Sequence, residues 1–342
     1  MNLVSARPTL ALLIPAYNAA AYLPRLLDSA ARQTRPFDEI WVYDDCSTDD
    51  TAEVAKRLGA NVVRGEVNRG CSHGKNVLAA ATSSKWLHFH DADDELLPNF
   101  SANALRWMVS AKHDVVLFPY EEKEGETGRH LEYRSFDPEE VAQDPRSYAI
   151  RVQINPFCGL YRREAFIRAG GYDEDPAVLY NEDVAMHIRL AFEGLSFAAD
   201  AEVALINHRY QNSMSGTNRL KCLRAQYNVM RKTAERTAAQ QYRIEISSRL
   251  WEIAAGLASQ LDWSTADNSA LLAVRLAGLS KLPQGRLFRN LCRFSPRMAL
   301  RIREYLIRLF KPELRQGYPQ WRAGVAEEQR HSNDAAACST EP

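Results

Sequence analysis

The feature that most limits what this 342-residue chain can fold into is the alternation, between residues 10 and 120, of short apolar runs with segments of helical period. Residues 10–14 are a continuous apolar run, and the next segment places Leu23, Leu26, Leu27 and Ala30 at helical spacing. A strand is expected at 39–43, a helix at about 48–58 and a short strand at 61–64. Ser47 and Thr48 can cap that helix, and Asp49 and Asp50 suit its first turn. A small-residue helix at 72–81, a strand at 85–89, a helix at 98–111 and a strand at 114–120 complete the series. Strand and helix alternating this often predict a mostly parallel, Rossmann-like α/β sheet with helices on both faces.

In such sheets ligands bind beyond the carboxyl ends of the strands. Three polar clusters fall there: Pro15-Ala16-Tyr17-Asn18, Asp44-Asp45-Cys46-Ser47 and Asp91-Ala92-Asp93-Asp94. The last lies in HFHDADDE, where four acids follow a buried-type strand within five positions. Carboxylates crowded this way repel unless a cation offsets them, and hard oxygen donors suit Mg²⁺ or Mn²⁺.

The formal net charge is zero, yet residues 1–216 carry 22 Lys+Arg against 32 Asp+Glu, and 217–342 carry 21 against 11. The front is therefore −10 and the back +10, an acidic part suited to a metal and a basic part suited to something anionic. No apolar run approaches the length of a membrane span, and no signal-peptide pattern opens the sequence. The expectation is a cytoplasmic protein, soluble or held peripherally on the inner face of the membrane. Six scattered cysteines without CxxC pairs argue against a zinc site or a disulfide framework.

The stretches LLIPAYNAAAYLPRLLDSAARQT, EIWVYDDCSTDDT, NRGCSHGKN and HDADDELLP, in that order over residues 9–120, resemble the nucleotide-sugar half of glycosyltransferase family 2. A looser likeness continues to about residue 215 through NPFCGLYRREAFIRAGGYDE and YNEDVAMHIRLAFEG. The resemblance implies a GT-A fold over residues 1–216, with an acceptor half from about 121, and an inverting sugar transfer from a nucleoside-diphosphate sugar, a UDP-sugar by preference. It implies that Pro15, Tyr17 and Asn18 wall the base pocket, that Asp44 and Asp45 contact the base, and that Lys75, where the family has Arg, approaches diphosphate or base. Asp91 would lie near the ribose and also serve the metal with Asp93. Asp183 would be the general base, with Glu182 beside it at the substrate. Asp94 is left open between a further metal contact, an acceptor behind the ligands and a helix cap. His208 is left open between a metal or phosphate contact and an ordinary edge-strand histidine.

Beyond residue 217 the sequence turns helical and basic, at about 218–236, 240–261, 266–280, 286–294 and 297–310, and 323–342 reads as a disordered tail. Met298, Ile302, Tyr305 and Leu309 form one apolar stripe flanked by Arg297, Arg301, Arg308 and Lys311. Such a helix either lies on an anionic membrane, here through residues 286–311, or packs its stripe on the rest of the protein. The expected partners are therefore a nucleotide-sugar donor, a glycan or lipid-linked acceptor and that membrane surface, without nucleic acid. Two competitors remain: a sugar nucleotidyltransferase, for which Pro15-Ala16-Tyr17-Asn18 is not the Gly-rich loop required, and a non-catalytic binding partner in a glycan assembly complex.

Overall fold

β1 (Leu10–Ala16) is the apolar run LALLIPA, and Leu10 through Ile14 are fully buried. A strand covered on both faces must read this way. The computed structural model describes residues 7–210, 217–279 and 285–318. After β1 come α1 (Leu23–Ala31), β2 (Glu39–Asp44), α2 (Thr51–Arg57), β3 (Asn61–Arg64), α3 (Cys71–Ala81), β4 (Trp86–Phe89), β5 (Glu95–Leu96), α4 (Phe100–Ser110), β6 (Val115–Leu117), β7 (Tyr120–Glu124) and β8 (His130–Arg134). The same unit continues with α5 (Pro138–Gln143), α6 (Pro145–Arg151), β9 (Gly159–Arg162), α7 (Arg163–Arg168), α8 (Glu182–Phe192), β10 (Phe197–Ala199) and β11 (Leu205–Arg209).

Seven strands make the main sheet in the order β10-β6-β9-β4-β1-β2-β3. β3, β2, β1 and β4 are parallel neighbours, and β9 runs antiparallel to both β4 and β6. The sheet is thus mostly parallel, with one reversed strand that sequence periodicity did not distinguish. A second sheet, β5-β11-β7-β8, is built from strands interleaved along the chain with those of the first. The single strand expected at 114–120 is two strands in two sheets. Phe118 still donates its N–H to Cys158 O, but Pro119 has no N–H to extend the ladder and its carbonyl accepts from Ala204. α2 begins at Thr51 rather than 48, because Ser47 and Thr48 are drawn to Asn18 instead of capping a helix.

The described residues fall into two compact units that divide between Thr217 and Asn218. The second contains α9 (Arg219–Ala234), α10 (Arg243–Ser259), α11 (Trp263–Ala277), α12 (Arg286–Phe294) and α13 (Pro296–Phe310). α10 and α11 approach closely because α11 turns Ala266, Ser269, Ala270 and Ala273 inward, and Ser269 Oγ donates to Leu250 O at 2.7 Å. Residues 211–216 and the tail from 319, including the 323–342 stretch expected to be disordered, lie outside the described residues.

Candidate active site

The loops after β1 and β2 are tied together before any ligand is considered. Asn18, in the left-handed region at φ 50°, donates its N–H to Ser47 Oγ at 2.9 Å and accepts the Thr48 N–H on Oδ1 at 2.9 Å. Asp44 is fully buried; it accepts the Ser47 N–H at 3.0 Å and pairs with Arg64 at 3.2 Å. Both oxygens of Asp45 are engaged, Oδ1 by the Arg69 N–H at 2.8 Å and Oδ2 by the Gly70 N–H at 2.7 Å. Asp45 therefore anchors the loop leading to α3. Cys46 holds φ 62°, the conformation a glycine would take most easily. Pro15 is half-buried, and Tyr17 is exposed rather than part of the core.

α3 brings the decisive cation. Lys75 is 2% exposed, with Nζ 3.4 Å from Asp183 Oδ1, 3.9 Å from Asp91 Oδ1 and 5.0 Å from the centroid of the Tyr172 ring. Burial opposes the charge, but Asp183 and Asp91 outweigh it and hold the ammonium above its ordinary range. Asp183 responds in the opposite sense: burial raises its carboxyl to about 7, against the lowering effect of Lys75, with Glu182 and Asp91 adding to the rise. Glu182, buried at the start of α8, accepts from Cys71 Sγ at 2.9 Å. The turn after α7 is pinned to α3 as well. Asn76 Oδ1 accepts the Tyr172 N–H at 2.9 Å, and Gly171, at φ 59°, leaves no room for a Cβ, which would lie 2.5 Å from that oxygen. Sequence reasoning placed Lys75 at the diphosphate or the base and gave no site role to Tyr172, Asn76 or Cys71. The small residues of GCSHGK were the available signal, since Gly74 admits the ring of Tyr43 at a distance where a Cβ would meet Cδ1 at 2.6 Å.

The acidic run divides into two functions. Asp94, 1% exposed, accepts the His208 N–H at 2.8 Å and both its oxygens lie 3.0 Å from Asn207 Nδ2. It ties the run to β11, and the helix that follows is headed by Asn99 rather than by Asp94. His208 is 8% exposed, with Nε2 3.4 Å from Glu95. Asp91 and Asp93 are half-buried. The Asp91 side chain is 39% exposed, and burial together with the Asp91 charge lifts the Asp93 carboxyl to about 6. Arg25 grips the Asp93 carbonyl, fixing the backbone of the pair. Beneath them the imidazoles of His88 and His90 are fully buried, joined Nε2 to Nδ1 at 3.0 Å, and His88 Nδ1 donates to Gly159 O at 2.9 Å.

Two neighbouring carboxylates, one pushed up by burial and by the charge of the other, form a donor set that fits Mn²⁺ or Mg²⁺. Among the described residues no group of three or more His, Cys, Asp or Glu side chains encloses a metal. An ion held by Asp91 and Asp93 would complete its shell with substrate phosphate oxygens and water, the usual arrangement for a hard divalent cation.

Residues 11–170 match the family model of Glycosyl transferase family 2. Over this stretch, a little under half of the chain, the sequence is similar to that family. An uncharacterized glycosyltransferase of Haemophilus influenzae is 28% identical over 166 residues, which cover 47% of this chain and 55% of that protein. The PGL/p-HBAD biosynthesis glycosyltransferase of Mycobacterium tuberculosis is 34% identical over 96 residues, 27% of this chain and 38% of that one. The chain thus spans about half the length, or less, of these curated relatives. Among solved structures, S. aureus TarS 1-349 in complex with UDP-GlcNAc is similar with a TM-score of 0.69 at 17% identity, covering 88% of this chain and 92% of that one. The mannosyltransferase PcManGT of Pyrobaculum calidifontis, in complex with GDP-Man and Mn²⁺, reaches a TM-score of 0.56 at 20% identity over 90% of this chain and 82% of the other. At these identities the likeness establishes the GT-A fold.

Proposed function

We propose that the chain is an inverting, metal-dependent glycosyltransferase that moves a sugar from a nucleoside-diphosphate sugar, a UDP-sugar by preference, to a hydroxyl of a surface glycan or a lipid-linked glycan. The observation that carries the reading is the convergence on Lys75 of Asp91, from the strand-end acidic run, and Asp183, from the start of α8. A single displacement needs one carboxylate facing the acceptor hydroxyl and positive charge beside the departing diphosphate, which an ion held at Asp91 would supply. In the proposed reaction Asp183 takes the proton of the acceptor hydroxyl as its oxygen bonds to C1 and the bond from C1 to the diphosphate breaks. Asp45 and Asn18 keep the base-side loops in place, and Asp44 braces them from within. A divalent ion at Asp91 and Asp93 supplies positive charge against the leaving diphosphate.

The preference for uracil draws on the family resemblance and on the UDP and UDP-GlcNAc complexes of TarS; the GDP-Man complex of PcManGT makes guanine the natural comparison. The test is a thermal-shift panel of UDP-GlcNAc, UDP-glucose and GDP-mannose, each with Mn²⁺, Mg²⁺ or chelator. A ligand at a hundred times its Kd stabilises the folded state by about 2.7 kcal/mol. A metal-dependent rise with a UDP-sugar, followed by slow UDP release without acceptor, is expected. Binding without turnover against a broad acceptor panel would favour a non-catalytic partner, and no shift with any nucleotide sugar would remove the donor assignment.

A further inference from the structure

α13 is built inside out. Its apolar stripe faces away from the unit, with Met298 60%, Tyr305 57% and Leu309 55% exposed, while its inner face buries Glu304 completely. That carboxylate accepts from Arg308 Nε at 2.8 Å and from Arg315 through Nε at 2.7 Å and Nη2 at 2.8 Å. α12 behaves alike: Phe288 and Cys292 turn in, Phe288 meeting Trp251 edge-on, and Leu287 and Phe294 turn out, the latter 90% exposed. Eight of the seventeen exposed large hydrophobic side chains among the described residues lie between Leu287 and Leu314. A soluble surface seldom gathers them so densely without a partner.

The charge around this face selects the partner. Residues 286–311 hold eight basic side chains (Arg286, Arg289, Arg293, Arg297, Arg301, Arg303, Arg308, Lys311) and one acid, Glu304, so the net charge is +7. The single acid is spent inside the unit, and Arg286, Arg293, Arg297 and Lys311 are exposed. A two-fold contact between copies of this face would set the same arginines against one another. An anionic lipid surface satisfies both properties at once: headgroups meet the arginines, and leucine and aromatic side chains enter the boundary between headgroups and acyl chains. No helix among the described residues is long and apolar enough to cross a membrane, so the contact is interfacial.

We propose that α12 and α13 form a docking face for an anionic membrane surface, with Leu287, Phe294, Met298, Tyr305, Leu309 and Phe310 as the inserting residues. The proposal extends the transferase reading to where the protein works, and its test does not depend on transfer. Full-length protein is floated with vesicles of phosphatidylglycerol and phosphatidylcholine, and with phosphatidylcholine alone, at about 0.1 M salt, where screening reaches about 10 Å. Flotation with the anionic vesicles only, weakened by high salt and reduced about tenfold or more in a Phe294→Ser/Phe310→Ser double variant, is the expected result. Both residues are exposed, so the variant keeps its fold and its full positive charge. Absence of flotation, or flotation unchanged in the variant, overturns the proposal. So does a concentration-dependent dimer that the same variant dissolves in protein that ignores vesicles, because the face would then belong to a second copy.

Discussion

Lys75 couples two carboxylates that the proposed reaction uses for different purposes. A buried ammonium survives only when opposite charge compensates its lost hydration, and here Asp183 at 3.4 Å and Asp91 at 3.9 Å do so. The coupling sets the protonation of the proposed base. Asp183 must be ionised to take a proton, and burial holds its carboxyl at about 7, so kcat/KM should rise with pH through that value and then level off. Asp183→Asn should bind donor normally and lose about 10²–10⁴ in turnover, the usual worth of a positioned base; undiminished turnover would end the assignment. Lys75→Met removes the influence that lowers Asp183, so its acid limb should move to higher pH and its activity should recover in alkaline buffer. Lys75→Arg keeps the charge and should move the limb less. A limb that stays put in Lys75→Met would mean that Lys75 acts on the donor alone.

At the level of elements, what the sequence disclosed depended on whether the signal was local. The apolar run of β1, the periodicity of α1 and the acids at the end of β4 are properties of consecutive residues, and each was legible. The reversed strand β9, the passage at Pro119 from one sheet to another and the loop held by Asp45 depend on partners far along the chain. No window of sequence contains them. The acids of the 91–94 run were legible as a group, but only long-range hydrogen bonds to Asn207 and His208 separate Asp94, a brace, from the more open Asp91. α13 misleads in a different way, because its stripe has the right spacing for a core helix and the wrong direction. What turns it is Glu304, whose burial is favourable only with Arg308 and Arg315 beside it. Glu304→Ala would remove the one carboxylate that both guanidinium groups share, each on a side chain 14% exposed, and should cost about 3–5 kcal/mol in the helical unit. Chemical denaturation read from a Trp251 fluorescence signal would check this, and a loss within 1 kcal/mol of zero, about the worth of a surface pair, would mean that the ion pairs are incidental.

Across the whole molecule, stability against pH is a sum of opposed windows, and the proposed metal pair can be isolated within it. Burial holds His88 at about 4 and His187 at about 3, below the unfolded value near 6.5. These histidines make stability rise as pH climbs toward 6.5, because the unfolded chain binds the extra protons. Asp93 at about 6 and Asp183 at about 7 do the reverse: the folded protein binds more protons above pH 4, so stability falls as pH rises through those values. Lys75 adds nothing to this window, since its folded value is raised and its contribution is complete below the ordinary lysine range. The profile of metal-free protein from pH 4 to 6.5 is therefore a sum of opposed contributions, and a difference measurement isolates one of them. Asp93→Asn deletes one descending contribution and the repulsion from Asp91, so the metal-free variant should gain Tm relative to the parent as pH goes from 5 to 7.5. The parent should gain Tm from Mn²⁺, more at pH 7.5 than at pH 5 because the ion needs ionised oxygen, and the variant should lose most of that gain. If Mn²⁺ stabilised both proteins equally at both pH values, the ion would be binding elsewhere and Asp93 would be an unpaired acid with no part in the site.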